Sequence, residues 1–431
     1  MDTIRQQLSI SGKRVILVGA ILKGYEKDSD NLTELTSLSE TAGAVIVDRF
    51  QQKISLVNPA TYIGRGKAEM LADRVELFEA DMVIFDNDLS PGQIRALEAM
   101  LDTQVVDRSE LILDIFANGA RTKQAKLQIE LAQLEYTYPR LTRMWSHLDT
   151  VTAGAASGGV GTRGTGEKQL EIDRRLVNKR ITDLKRELAI IEKRRNREID
   201  ARENTFKICL VGYTNAGKST VMNAVTEAGV LAENKLFATL DTRTKRWQLE
   251  SGAQALLSDT VGFVRKLPHQ LVESFKATLA EAVNADLLLH VVDASNERVF
   301  EQIESVNNVL EEIGCKDKDM LILLNKCDAI KNIVDLETLQ TLYPTSITIS
   351  AKANLNLDKV ASDIAEKING AQKTIRIVCE IANGKLQSYL RKHAEITDES
   401  YEENTVKIEA RIGSNRIGLL KTLNPTKLEI S

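Results

Sequence analysis

The run Gly212-Tyr213-Thr214-Asn215-Ala216-Gly217-Lys218-Ser219 sets two glycines five residues apart and follows the second with a lysine and a hydroxyl. Glycine lets backbone N–H groups approach a polyphosphate closely, lysine brings charge to its outer phosphates, and serine can ligate magnesium. An apolar, strand-like segment precedes the run and a helix-like one follows it, the setting that aims such N–H groups at phosphate. Downstream, Asp259-Thr260-Val261-Gly262 places a carboxylate near the metal, through a water, and a glycine N–H near the terminal phosphate. Phe237-Ala238-Thr239-Leu240-Asp241 supplies Thr239 as a candidate magnesium ligand on a loop that orders with a triphosphate, although Thr242 and Thr244 compete for that role. The base is chosen by Asn325-Lys326-Cys327-Asp328, because Asp328 can accept from the N1–H and 2-amino groups of guanine. Adenine has neither donor, and a desolvated carboxylate left facing it costs a few kcal/mol, roughly a hundredfold in discrimination. Ser350-Ala351-Lys352 ends the next strand, where backbone N–H groups can meet the guanine oxygen.

These motifs need a scaffold. Strand-like 206–212, 255–262, 287–295, 320–328 and 345–351 alternate with helical stretches across 204–370. Such alternation gives a mostly parallel sheet with helices on both faces and ligands at the carboxyl ends of the strands. Residues 1–115 show a second α/β alternation, with strands at 14–20, 44–50, 81–87 and 104–108 and helices near 32–42, 66–79 and 90–101. Within it Gly64, Arg65, Gly66 and Lys67 stand at a helix entrance that could hold an anion or be an ordinary capped loop. From 116 to 203 the pattern is helical: Leu127, Leu131, Leu134, Tyr138, Leu141 and Trp145 form one heptad seam, and Val177, Ile181, Leu184, Leu188 and Ile191 another. Two seams flanking a glycine-rich stretch at about 154–166 predict an antiparallel helical hairpin with that stretch as its tip, kinked or interrupted at Pro139. Residues 371–431 read as a small α+β domain, with strands at 374–381 and 405–412 around a helix at 384–393.

Composition limits the partners. The chain of 431 residues carries a net charge of −4, yet 121–200 holds 17 Lys/Arg against 11 Asp/Glu. An acidic protein with one basic segment is explained if that segment meets phosphate, and Arg163 and Lys168 stand beside the tip as candidate contacts. Four scattered cysteines without a CxxC pair argue for a reducing compartment and against structural zinc or a disulfide framework. No leader-like or membrane-spanning segment is visible, so the expectation is a cytoplasmic, monomeric protein without a membrane anchor or a DNA partner.

The five motifs, their order, the glycine-rich hairpin before them and the N-terminal α/β region together resemble the HflX family of translational GTPases, over the whole chain and least over its last sixty residues. The resemblance implies GTP hydrolysis to GDP, association chiefly with the large ribosomal subunit, and splitting or rescue of stalled ribosomes under stress, with the hairpin tip directed into ribosomal RNA. A checkpoint role in large-subunit assembly is the alternative, and an ATP-dependent RNA-remodelling activity of the N-terminal domain is a further one. Where many GTPases carry a glutamine after the D-x-x-G motif, this chain has Phe263, as HflX-like proteins do. A phenyl ring cannot orient water, so Lys218, Gly262 and Asn215 are the candidate catalytic residues and slow intrinsic turnover, stimulated by the ribosome, is expected. Asn215 also occupies the position that in potassium-dependent GTPases helps to hold K⁺.

Overall fold

The computed structural model describes residues 10–24, 32–154, 163–200, 205–226, 236–237, 243–249, 254–265, 279–330, 333–402, 404–413, 420 and 423–430, with side chains outside 139–173, 192, 194–200, 333–335 and 369–372. The chain divides into two compact units, the first comprising Met1–Glu192, Glu233–Asp241 and Val261–Leu279, and the second Lys193–Ala232, Thr242–Thr260 and Ala280–Ser431.

The first unit opens with β1 (Arg14–Leu22), α1 (Thr33–Thr41), β2 (Val45–Ile54), α2 (Arg65–Leu77), β3 (Met82–Phe85), α3 (Pro91–Leu101), β4 (Gln104–Asp107) and α4 (Arg108–Gly119). The four strands are parallel in the order β2-β1-β3-β4. Two of the helices are capped by side chains: Ser90 and Gln93 form a capping box before α3, and Asp107 accepts from Glu110 N at the head of α4. Strands β1 and β3 are buried on both faces, as a sheet covered by helices requires, and Ile16, Val18, Phe50, Leu71, Val83, Phe85 and Leu97 share one of the two core layers.

Two long helices follow, α5 (Lys123–Gly154) and α6 (Arg163–Asp200). Their pairing is antiparallel, as Lys123 meets Glu187, Glu130 meets Arg180, and Tyr138 meets Asn178. Leu127, Leu131 and Leu184 are buried in the seam, with Leu134, Ile181, Leu188 and Ile191 packed against them. Two expectations need correction. Helix α5 runs through Pro139 without interruption, since a proline removes one N–H from a ladder that the rest of a long helix sustains. The tip is shorter than 154–166: α5 includes Gly154 and α6 begins at Arg163, while 155–162 lie outside the described residues.

The hairpin is tied to the sheet by one buried carboxylate. Asp107, fully buried, accepts from Leu89 N at 3.2 Å and Glu110 N at 3.0 Å, and Tyr136 of α5 donates its hydroxyl to both carboxylate oxygens. Tyr136→Phe leaves a buried carboxylate short of a donor, so a loss of about 1–3 kcal/mol in urea-unfolding stability is expected. A midpoint within error of the parent chain refutes that role for the tyrosine.

The second unit contains β5 (Phe206–Val211), α7 (Lys218–Thr226), β6 (Arg243–Gln248), β7 (Gln254–Asp259), β8 (Leu287–Asp293), α8 (Val299–Glu312), β9 (Met320–Asn325), α9 (Ile333–Leu342), β10 (Ile347–Thr348) and α10 (Leu357–Ala371). Its six-stranded sheet has the order β10-β9-β8-β5-β7-β6, parallel except for the antiparallel edge strand β6. Strand β8 is central and buried along nearly its whole length. The remaining elements, β11 (Gln372–Glu380), α11 (Gly384–His393), β12 (Glu395–Glu402), β13 (Thr405–Gly413) and β14 (Lys427–Ile430), form an antiparallel sheet ordered β12-β13-β11-β14. Leu386 and Leu390 of α11 pack on Ile375 and Ile377 of β11 and Val406 and Ile408 of β13. Among the described residues no helix is long and apolar enough to cross a membrane.

Candidate guanine nucleotide site

The carboxyl ends of β5, β7, β8 and β9 carry the motif residues. Chain direction reverses between β5 and α7 at Gly212, φ 149°, and Gly217, φ 99°, both in the region that favours glycine. Each is also hemmed in: a Cβ on Gly212 would stand 2.2 Å from Val291 O, and one on Gly217 would stand 2.3 Å from Asn325 Nδ2. The loop can lie this close to β8 and β9 only without those side chains. Asn215, exposed at the crest, takes the left-handed conformation with φ 59°. Tyr213, Thr214 and Ala216 are buried beneath it.

Lys218 folds back under its own loop, donating to Gly212 O at 3.0 Å and Tyr213 O at 2.9 Å. Burial pulls its ammonium down to about 8, against the raising influence of Asp259. Ser219 donates its hydroxyl to Asp259 Oδ2 at 2.7 Å, so a hydroxyl and a buried carboxylate meet beside the lysine. Thr260, expected with the ligand-binding residues, turns its hydroxyl inward to Leu210 O at 2.7 Å. Behind the loop His290 is buried and held down to about 3, by desolvation first and by Lys218 second, so it stays neutral.

One amide staples the Gly212–Ser219 loop to the Ser350–Lys352 turn. Asn325 donates Nδ2 to Ala216 O at 2.8 Å and accepts at Oδ1 from Ala351 N at 3.0 Å. Ser350 donates to Asp328 Oδ1 at 2.5 Å and accepts from Ala353 N at 3.1 Å, which fixes the Asp328 carboxylate. Cys327, partly exposed, donates its backbone N–H to Ile349 O at 3.2 Å, and Lys352 is exposed. Thus Gly212 to Ser219, Asp259, Asn325 to Asp328 and Ser350 to Lys352 share one unit. Val261, Gly262 and Phe263 belong to the other, where Val261 and Phe263 are buried. Phe237 is buried there too, its ring edge-on to Phe116 at 4.5 Å between centroids. Ala238, Thr239, Leu240 and Asp241 lie outside the described residues. Arg163 and Lys168 lie on the backbone of α6.

Asp293 was missed by sequence reasoning. It closes β8 opposite Asn325, and its Oδ2 holds Lys326 Nζ at 2.7 Å. The available signal was an acidic residue ending an apolar strand next to the base-reading one.

Gly64 caps α2 as expected, but its neighbours are engaged: Arg65 pairs with Glu69 at 3.2 Å, and Lys67 stands over the Phe50 ring at 6.0 Å. In open α/β sheets ligands sit where strand order reverses, here between β1 and β3. Asn87 bridges that point, accepting from Ala20 N at 2.9 Å and donating to Ala20 O at 3.1 Å.

Residues 29–117 match the family described as GTP-binding GTPase N-terminal, 119–202 the GTP-binding GTPase Middle Region, and 207–326 the family described as 50S ribosome-binding GTPase. The GTPase HflX of Lacrimispora saccharolytica is 44% identical over 407 residues, spanning 93% of this chain and 94% of that protein. This chain belongs to the HflX family of GTPases. The GTPase HflX of Escherichia coli strain K12 is 40% identical over 408 residues, with 93% and 94% covered. Among solved structures, "SsGBP and GDP complex" is similar with a TM-score of 0.47 and 26% identity over 83% of this chain and 99% of that one. As an HflX-family member the chain binds GTP and hydrolyses it, with its nucleotide motifs on a P-loop GTPase sheet.

Proposed function

We propose that this GTPase acts on the ribosome, docking on the large subunit in its GTP state and separating the subunits of stalled particles under stress, in the cytoplasm. The observation that carries the reading is the pairing of a GTPase sheet with a basic two-helix arm, in a chain whose 207–326 segment matches a family described as 50S ribosome-binding GTPase. The functional partition is an N-terminal domain to 115, the arm over 116–203, the GTPase over 204–370 and a C-terminal domain from 371 on, working as a monomer.

At the nucleotide, the backbone N–H groups from Tyr213 to Ser219 cradle the phosphates, Lys218 takes the β and γ charges, and Gly262 donates to the terminal phosphate. Asp328 reads the guanine edge. Ser219 and Asp259 form a hard oxygen pair that fits magnesium, with Asp259 acting through a water and Thr239 as the candidate third ligand. Held there, magnesium would supply positive charge to offset that of the phosphates. Among the described residues no group of three His, Cys, Asp or Glu side chains gathers for a metal, as suits an ion that takes much of its shell from phosphate and water. With Phe263 buried in place of a water-orienting amide, intrinsic turnover is slow and rises on the ribosome.

Asn215, exposed at the loop crest with a left-handed backbone, is the proposed holder of K⁺ beside the phosphates. Hydrolysis should then run faster in potassium than in sodium at matched ionic strength, and Asn215→Ala should erase the difference. Equal rates in the two salts refute the cation.

Ribosome sedimentation with a non-hydrolysable GTP analogue tests the main reading: the protein should travel with the large subunit while intact ribosomes fall apart. Binding without dissociation favours the assembly checkpoint. Arg163→Ala with Lys168→Ala should leave nucleotide affinity intact, weaken ribosome binding and flatten its salt dependence by about two phosphate contacts. An unchanged salt slope and splitting rate would make the arm a spacer. No observation favours ATP in the N-terminal sheet, where Asn87 spans the reversal point.

A further inference from the structure

Asp293 lies in none of the five nucleotide motifs, yet it is held as firmly as the residues that do. Its Oδ1 accepts from Ser295 N at 3.1 Å and Ser295 Oγ at 2.6 Å, which fixes the carboxylate at the end of β8. Its Oδ2 is thereby presented to Lys326 Nζ at 2.7 Å. The lysine is itself constrained, because its backbone is left-handed with φ 62°, a conformation unfavourable for a residue with a Cβ that persists only where the surroundings impose it. Lys326 sits two residues before Asp328, the next carboxylate along the chain and the one assigned to guanine. A lysine stem is flexible and its ammonium seeks the nearest anion. The anchored Asp293 therefore sets where that ammonium rests.

We propose that Asp293 is a positioning residue for guanine recognition: by tethering Lys326 it keeps the ammonium off Asp328 and leaves that carboxylate to the N1–H and 2-amino groups of the base. With the ammonium drawn back, the lysine stem stands as an apolar wall beside the base reader. The fixed partner of Asp328 is then Ser350, which donates a single hydrogen bond at 2.5 Å and leaves the other oxygen to the ligand. The inference rests on the assignment of Asp328 to the guanine edge.

Equilibrium titration of the full-length protein with GDP, IDP and XDP tests it, since IDP lacks only the 2-amino group. Asp293→Asn keeps the acceptor that Ser295 uses but loses the charge that holds Lys326. GDP should weaken about tenfold and IDP about threefold, because a wandering ammonium removes more from the ligand with two donors. Ser295→Ala, which loosens the anchor without touching either charge, should shift GDP in the same direction by a smaller factor. In the double variant with Lys326→Met the harm of Asp293→Asn should vanish, leaving GDP affinity at the level of Lys326→Met alone. Equal losses for GDP and IDP, or additive effects of the two substitutions, overturn the proposal and reduce Asp293 to a residue that shapes the turn. Failure of the underlying assignment has a separate signature: Asp328→Asn would then leave GDP affinity unchanged and gain nothing for XDP.

Discussion

Lys218→Met is expected to weaken GTP roughly a hundred- to ten-thousand-fold, the loss of two charge-assisted bonds at about 1.5–3 kcal/mol each, and GDP, which has no γ-phosphate, roughly ten- to a hundredfold. The substitution keeps the stem and removes the ammonium that now bonds Gly212 O and Tyr213 O. A loss under about tenfold in equilibrium titration would show that the loop N–H groups carry the phosphates without it. The same lysine gives a pH signature whose sign follows from its burial. In the protein without nucleotide the ammonium titrates at about 8, and polyphosphate beside it favours the charged form. Binding therefore takes up a proton once the pH approaches that value, and affinity falls as pH rises above about 8. Calorimetry in buffers of differing ionisation enthalpy should register uptake of roughly three-quarters of a proton at pH 8.5 and about a tenth at pH 7. No uptake at the higher pH refutes the shifted lysine, and Lys218→Met should abolish the effect.

Asp328→Asn should reverse the base preference. The carboxylate is fixed by Ser350 and is proposed to accept from two guanine donors; an amide there offers one donor and one acceptor, which suits the C2 oxygen of xanthine. GTP should lose roughly a hundredfold and XTP gain by a similar factor, because each mismatch leaves a desolvated group unpaired. Hydrolysis of XTP by the variant at a rate near that of GTP by the parent chain would show that only recognition had changed. A variant that binds neither nucleotide leaves Asp328 a structural role, whereas unchanged GTP affinity removes it from the base site.

The local chemistry of this site was legible because its parts are contiguous. Each motif is a strand end followed by a turn, and glycine, lysine and aspartate at fixed offsets cannot be moved without losing the loop. The strands that carry them read easily because they are buried on both faces. Edge strands are another matter: β6 (RTKRWQ), β12 (EITDESYE) and β14 (KLEI) were all missed. A strand with one free edge and an exposed face has no apolar run to announce it, and polar edge residues guard against stray pairing. Of the kink or interruption foreseen at Pro139, the interruption is absent, since a local preference gave way to the helix on either side.

The sequence by itself determined the class of ligand, the strands that carry its motifs and the heptad seams, all properties of residues near one another along the chain. Only the tertiary structure decided which distant groups share a bond. The Asn325 amide joins Ala216 to Ala351, Asp293 holds Lys326, and Tyr136 caps the carboxylate of Asp107. Asn87 bridges the reversal point of the first sheet, and Phe237, expected near nucleotide, buries its ring on Phe116. Nothing in a spacing rule foretells these pairs, because each is fixed by sheet order, register and the packing of helices and loops, which bring residues together irrespective of their separation in sequence.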